Sequence, residues 1–122
     1  TNFIHGKVES ISGDEVMILV EDQFLVPAPK DKTVTRGDPV SLAVRPEKVM
    51  LNTEESDCIS IPGTIVESIY IGTDLRYEVK ISEQTTVSVR EQNRTGKSEK
   101  RFRRGDNVFV CWDQERASLL TE

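Results

Sequence analysis

The sequence repeats itself in two places, and this duplication limits the folds that the chain can adopt. Val8-Glu9-Ser10-Ile11 recurs as Val66-Glu67-Ser68-Ile69, and Arg36-Gly37-Asp38-Pro39-Val40 recurs in part as Arg104-Gly105-Asp106-Asn107-Val108. Two ordered matches with a shared register beyond them indicate a duplication, because chance would supply one short match at most. The sequence therefore predicts two similar β units, about 1–55 and about 56–122, neither of which closes its core alone.

The spacing of the two matches locates an insertion in the second unit. The offset is 58 residues at the first match and 68 at the second, so the second half is longer by about ten residues. We place the insertion at residues 93–103, which are polar and basic. Beyond the second match the register holds, since Val44-Arg45-Pro46-Glu47 aligns with Trp112-Asp113-Gln114-Glu115.

Both units are predicted to consist of β-strands. Apolar residues occupy every second position from Leu75 to Ile81, which is typical of a strand with one buried face. The apolar run 16–20 is too short for a helix and rich in β-branched residues, so we expect a strand covered on both faces. Ser12-Gly13-Asp14 and Gly72-Thr73-Asp74 are turn sequences that predict a hairpin before each of these strands. Turn signals at intervals of about ten residues indicate an all-β sandwich or barrel, in which Trp112 anchors the core of the second unit.

The composition is that of a globular domain. Hydrophobic residues make up 36% of the chain and charged residues 30%, and no apolar run approaches the roughly 20 residues of a transmembrane helix. We therefore expect a cytoplasmic protein. Cys58 and Cys111 lie in apolar, strand-like contexts, which favours reduced, buried thiols over a disulfide or a metal site. The net charge of −5 and the pI near 5.0 argue against a general nucleic-acid-binding protein.

No group of residues in the sequence predicts catalysis, and we expect neither a metal nor a cofactor in this chain. Gly96-Lys97-Ser98 is similar to the end of a phosphate-binding P-loop, but Glu91 stands where the loop requires its first glycine. The charged residues that follow offer no apolar face for the helix of that motif. His5 is the only histidine, so no Ser/His/Asp grouping and no second imidazole for a metal site can be identified.

One basic run interrupts this otherwise acidic sequence. It consists of Lys97, Lys100, Arg101, Arg103 and Arg104, with Phe102 between them. Such a run can bind phosphates, anionic headgroups or an acidic protein surface. A solvated hairpin tip is the favoured interpretation, since one aromatic residue is no stacking platform for single-stranded nucleic acid.

The segment Gly37-Asp38-Pro39-Val40-Ser41-Leu42-Ala43-Val44-Arg45-Pro46-Glu47-Lys48-Val49 resembles the signature of the TOBE domain that follows the nucleotide-binding domain in importer ATPases. The similarity is to the spermidine/putrescine, iron and thiamine branch of ATP-binding-cassette (ABC) subunits. Residues 1–8, 62–72 and 108–112 are similar to the same family in order, so the resemblance covers essentially the whole chain. It implies OB-like β-barrel units formed by interleaved strands. The charged segment 93–104 departs from the family pattern.

The resemblance also implies a function. It indicates a non-catalytic regulatory and dimerisation domain of the ATP-binding subunit of an ABC solute importer, with polyamines among the solutes. The partners would be a second ATPase subunit, the nucleotide-binding domain of the same polypeptide and the membrane subunits of the transporter, at the inner face of the cell membrane. Two alternatives stay open. One is a barrel that senses a small ligand or an oxyanion, and the other is an OB-like nucleic-acid-binding module.

Arg45-Pro46-Glu47 is the tripeptide most specific to this family, and it supplies the candidate interface residues. Pro46 fixes its own φ and favours an extended Arg45, which predicts a rigid turn at the end of a strand. The equivalent tripeptide of the second unit, Asp113-Gln114-Glu115, keeps only the glutamate. We therefore expect Arg45 to contact a partner subunit or the nucleotide-binding domain, while the glutamates serve the turn. The alternative is a turn whose charges are merely solvated.

Overall fold

A computed structural model of the chain describes residues 1–30, 33–92 and 102–121. Over these residues the chain forms ten β-strands and two single-turn 3₁₀ helices, which confirms the all-β fold class. The strands are β1 (Asn2–Ser12), β2 (Glu15–Val20), β3 (Phe24–Pro29), β4 (Pro39–Val44), β5 (Met50–Asn52), β6 (Ile59–Ile71), β7 (Asp74–Lys80), β8 (Thr86–Gln92), β9 (Asn107–Trp112) and β10 (Ala117–Thr121). The 3₁₀ helices are η1 (Pro46–Lys48) and η2 (Gln114–Arg116). In the described part of the chain, no helix combines the length and the apolar character needed to cross a membrane.

The strands form two antiparallel five-stranded sheets of the same design. Sheet A has the order β10-β4-β1-β2-β3, and sheet B has the order β5-β9-β6-β7-β8. The last strand of the chain thus completes the first sheet, while β5, from the first half of the sequence, completes the second sheet. In sheet A, β10 also contacts β3, which brings the two edges together as in an OB-like barrel. The predicted pair of repeated, interleaved β units is therefore confirmed.

The buried side chains form one hydrophobic cluster that both sheets share. Its largest members are Trp112 and Tyr77, both with no exposed surface. Phe102 meets the Tyr77 ring edge-on, with 5.8 Å between ring centroids and 73° between the planes. The alternation predicted for 75–81 is present, since Leu75 and Val79 are buried while Arg76 is exposed. A shared core explains why neither half is expected to close alone.

Strand β2 differs from its prediction. Val16, Ile18 and Val20 are fully buried, but Met17 and Leu19 between them are only half-buried. Alternate side chains of a strand point to opposite faces, and here only one face meets the core. The other lies on the outside of sheet A, where neighbouring side chains cover it in part.

The structure corrects the alignment of the first repeat by one residue. The Gly37 N–H donates to the Val8 carbonyl at 2.7 Å, and the Gly105 N–H donates to the Ile65 carbonyl at 2.8 Å. Val8 is therefore equivalent to Ile65 and not to Val66. Because the strand period is two, a slip of one residue exchanges the faces: Val8 is 2% exposed, whereas Val66 is 37% exposed. A β-bulge follows at the same point in both units, between Val8 and Ser10 and between Ile65 and Glu67.

The second repeat aligns in the structure as it does in the sequence. The Asp38 carboxylate accepts the Thr35 N–H at 2.8 Å, and the Asp106 carboxylate accepts the Arg103 N–H at 2.9 Å. Gly37 and Gly105 follow the same path, with φ of +92° and +95°. Both segments are strand-entry turns that lead into β4 and β9.

Two polar contacts join sheet A to sheet B. The Asn2 side chain donates to the Ser88 carbonyl and accepts the Ser88 N–H, each at 2.8 Å. At the β2–β3 turn, one Glu21 carboxylate oxygen accepts the Ser82 hydroxyl at 2.9 Å and the other accepts the Thr85 hydroxyl. Together with the shared core, these contacts help to fix how the two sheets meet, because each joins a residue of the first unit to residues of the second.

Candidate functional site

The candidate residues Arg45, Pro46 and Glu47 lie where β4 ends and η1 begins. Arg45 is extended, with φ −72° and ψ 142°, as its position before a proline predicts. The Lys48 N–H closes the turn by donating to the Arg45 carbonyl at 2.9 Å. Arg45 and Glu47 are exposed and Pro46 is half-buried. The backbone therefore holds the Arg45 and Glu47 side chains at the surface.

The second unit forms the same turn without the arginine or the proline. Asp113 has φ −80° and ψ 141°, and its carbonyl accepts the Arg116 N–H at 2.9 Å. Glu115 is exposed, as is its counterpart Glu47. The fold of the turn thus depends on neither Arg45 nor Pro46, so the Arg45 guanidinium is available for another role.

Strand exchange brings the two turns to one place. In sheet A, β10 pairs with β4 so that Ala117 lies opposite Val44 and Ser118 lies opposite Ala43. The residues just before β10 belong to η2, and those just after β4 belong to η1. Arg116 is thereby placed beside Arg45, although the two are distant in the sequence.

A concave site of about 330 Å³ lies at this junction. We call it the basic pocket, and its lining residues are Thr1, Ala43, Arg45, Lys48, Glu115, Arg116 and Ser118. Three cationic side chains and one carboxylate thus surround a single cavity in a chain of net charge −5. The three cations are exposed, and within the described residues none of them forms a salt bridge. Such an arrangement suits an anionic partner.

The equivalent position in sheet B is built differently. Cys111 replaces Ala43 and Asp113 replaces Arg45, at the offset of the second repeat. The Cys111 thiol is fully buried, with the Asn52 amide at 3.2 Å and the Ser60 hydroxyl at 3.3 Å. Ser56, from the loop between β5 and β6, lies with its hydroxyl 2.8 Å from the Cys58 sulfur and 3.8 Å from the Cys111 sulfur. A loop therefore covers in sheet B the position that is open in sheet A.

A second cavity, of about 400 Å³, borders Gly6 on the outside of sheet A. Its charges are mixed: Lys7 lies 4.0 Å from Asp22, and Glu21 is engaged with sheet B. His5 also lines it, with Nδ1 2.9 Å from the Ser41 hydroxyl. This is a polar contact on the outer face of the sheet. Among the described residues, no cluster of three or more His, Cys, Asp or Glu side chains is arranged for a metal ion.

Most of the basic run falls outside the described residues, as do Gly96-Lys97-Ser98 and most of the predicted insertion. Of the run, Phe102, Arg103 and Arg104 are described. Phe102 is 6% exposed and contacts Tyr77 in the core. Phe102 is thus a core residue, and its ring offers no surface on which a base could stack.

Sequence reasoning found Arg45 but missed Lys48 and Arg116. The two occupy equivalent positions in the duplicated turn, which was a usable signal, since both units keep a cation there. What the sequence did not reveal is that strand exchange places both around the same cavity.

A model of the TOBE domain family matches residues 42–120. Among curated proteins, the spermidine/putrescine import ATP-binding protein PotA of Ruegeria pomeroyi is 31% identical over 122 residues, which cover 100% of this chain and 32% of that protein. The protein of the same name from Frankia alni is 37% identical over 89 residues, 70% of this chain and 19% of that protein. The chain thus spans about a third or less of the length of the relatives it matches.

Among solved structures, the fold is similar to that of the cytoplasmic molybdate-binding protein ModG with molybdate bound. The TM-score is 0.81, and the match covers 99% of this chain and 96% of that one. The sequences are 15% identical, so the likeness concerns the fold alone.

Proposed function

Since this chain belongs to the TOBE domain family, we propose that it is the regulatory and dimerisation domain of the ATP-binding subunit of an ABC solute importer of the polyamine type. The observation that carries the proposal is the similarity, over the whole of this chain, to an import ATP-binding protein for spermidine and putrescine. That protein is about three times as long as this chain, which fits a domain of a larger subunit. ATP hydrolysis would belong to the nucleotide-binding domain of the same polypeptide.

The proposed setting is the cytoplasmic face of the cell membrane. There the domain would contact its own nucleotide-binding domain and, through the parent subunit, the membrane subunits of the importer. A second ATP-binding subunit would complete a homodimer. Regulation would act on the contact between the two copies, since a domain without its own chemistry influences the ATPase through association and orientation.

We assign Arg45 to this interface. The support is that η2 forms the same turn with Asp113 in place of Arg45, so the guanidinium is not needed for folding. It is exposed, and within the described residues it forms no salt bridge. Exposed charges without partners add little to stability but are well placed to orient a partner.

The test compares an intact ATP-binding subunit with one that lacks residues 1–122, using light scattering to measure the dimer fraction. We expect the deletion to weaken dimerisation. Arg45→Ala in the intact subunit should weaken it as well, while the melting temperature of this chain stays the same. Arg76→Ala is a matched control, because Arg76 is also exposed but lies on β7. Equal dimerisation with and without the domain would refute the proposal, and a lower melting temperature with unchanged association would make Arg45 structural.

A second candidate function is oxyanion sensing. It is favoured by the basic pocket and by the likeness in fold to a molybdate-binding protein. Calorimetric titration of this chain with molybdate, sulfate, spermidine and putrescine tests it. Binding of either anion, lost in Arg116→Ala and retained in Arg76→Ala, would support this function, and the absence of heat with both anions would exclude it.

A further inference from the structure

We infer that the basic pocket receives the acidic loop of a second copy of this chain. The acidic loop is residues 53–57 of the connection between β5 and β6, and it carries Glu54, Glu55 and Asp57. This inference rests on the proposed dimerisation and specifies the contact that would orient it. It is carried by two complementary surfaces, each of which has its charges unpaired.

The basic surface consists of Arg45 and Lys48 from the η1 turn and Arg116 from η2, which surround one cavity. Glu115 lies on its lining and offsets one of the three charges. The remaining excess is positive, in a chain whose net charge is negative. Several cations around one cavity bind a group of carboxylates more strongly than isolated exposed ion pairs would, because the charges act as a network.

The acidic surface is a short loop that is held in place. The Ser56 N–H donates to the Ser60 hydroxyl at 3.3 Å, and the Ser56 hydroxyl lies 2.8 Å from the Cys58 sulfur. These contacts fix the centre of the loop against β6, while the carboxylates on either side of Ser56 are exposed. Within the described residues, none of the three carboxylates forms a salt bridge or a hydrogen bond. The backbone of the loop is therefore held at Ser56, so less backbone entropy is lost when its three exposed carboxylates bind a partner.

The two surfaces lie on different sheets of one molecule. The basic pocket borders β4 and β10 of sheet A, whereas the acidic loop is attached to Cys111 and Ser60 of sheet B. The loop lies against Cys111, which is the counterpart of Ala43 on the lining of the pocket. Each copy carries one basic pocket and one acidic loop. In a two-fold dimer the pocket of one copy meets the loop of the other, and the contact is made twice.

The net charge of the chain favours a dimer contact between locally opposite charges. Two copies of net charge −5 repel each other at long range. A local positive surface that faces a negative one offsets this repulsion, and complementary charges of this kind also fix the relative orientation of the partners. The basic pocket offers such a surface, since three cations without a salt bridge among the described residues surround it.

Charge reversal tests the inference in this chain, with sedimentation used to measure the dimer dissociation constant. One variant carries Arg45→Glu, Lys48→Glu and Arg116→Glu, and the other carries Glu54→Lys, Glu55→Lys and Asp57→Lys. Each should raise the dissociation constant by at least about tenfold, because like charges are then opposed. A mixture of the two variants should form a heterodimer. The control Lys30→Glu, Arg36→Glu and Arg76→Glu reverses three exposed cations elsewhere and should have a much smaller effect.

Salt provides a second readout. Raising NaCl from about 0.05 M to about 0.5 M should weaken the wild-type dimer, because screening shortens the range of the attraction. A wild-type dimer that neither reversal weakens would overturn the contact and leave dimerisation standing. A chain that stays monomeric up to about 1 mM would overturn the contact too, while the deletion experiment on the intact subunit decides the proposed function separately.

Discussion

The two units use the same strand framework but fill equivalent positions with different side chains. At the start of β1, Asn2 lies opposite Val44, and at the start of β6, Ile59 lies opposite Trp112. One unit thus has a short polar and a small apolar residue where the other has two large apolar residues. Just beyond, Arg45 stands where the other unit has Asp113. The duplication thus kept the backbone and divided the roles: Trp112 fills the core of the second unit, whereas Asn2 of the first unit joins the sheets beside an open basic pocket.

The largest difference between the units is expected when the equivalent core residues Trp112 and Val44 are each truncated to alanine. Trp112→Ala should lower the free energy of unfolding by about 3–5 kcal/mol, since it leaves a cavity at a residue with no exposed surface. Val44→Ala, at the equivalent position, should cost less, about 1–3 kcal/mol, because fewer buried atoms are lost. Urea unfolding followed by circular dichroism measures both, because Trp112 is the only tryptophan and its fluorescence disappears in the variant.

Trp112→Phe refines this measurement. The Trp112 ring N–H is buried without a hydrogen-bond partner among the described residues, which is unfavourable. Removing it offsets part of the lost volume, so the phenylalanine variant should lie much closer to wild type than the alanine variant. A loss below about 1 kcal/mol for Trp112→Ala would contradict burial of this ring in the core. Equal losses for Trp112→Ala and Val44→Ala would mean that the two units fill this position equally well.

The sequence predicted the parts of the fold that local patterns determine. The alternation from Leu75 to Ile81 predicted β7, because successive side chains of a strand point to opposite faces and only one face is buried here. Turn residues marked both hairpins, in which Ser12 pairs with Glu15 and Ile71 pairs with Asp74. The repeat predicted two units, but its first match was displaced by one residue. The backbone hydrogen bonds make Val8 equivalent to Ile65, whereas the identical tetrapeptides align Val8 with Val66.

The candidate site was predictable only in part for a related reason. Arg45 belongs to a recognisable tripeptide, whereas Arg116 becomes its neighbour only when β10 joins sheet A. Nothing in the local pattern of Ala117–Thr121 specifies which sheet that strand completes. Strand exchange is a property of the whole chain, and it is also what creates the pocket.

A smaller effect is expected at the contact between the sheets. Asn2→Ala should lower the free energy of unfolding by about 1–3 kcal/mol, because the N–H and the carbonyl of Ser88 both lose a partner in a partly buried setting. Asn107→Ala is the control: Asn107 is exposed and accepts one hydrogen bond from Thr64 at 3.3 Å, so its loss should stay within about 0.5 kcal/mol. Similar losses for the two variants would mean that the Asn2 contact with β8 adds little stability. Asn2 would then have no special role in joining the two sheets.

The smallest effects should be found where the two units are the same. Gly37 and Gly105 have φ of +92° and +95°, a region in which a side chain is strained, although a Cβ would meet no atom within 4 Å at either position. The cost of Gly37→Ala and of Gly105→Ala should therefore come from the backbone alone, about 1–2 kcal/mol each. Because both turns are closed by an aspartate and by the same hydrogen bond to the preceding strand, the two losses should agree within about 0.5 kcal/mol. Arg36→Ala, next to the first glycine and exposed, should change stability by less than this. Unequal losses at Gly37 and Gly105 would show that the two turns contribute differently to stability. The difference between the units would then include the backbone framework as well as the side chains.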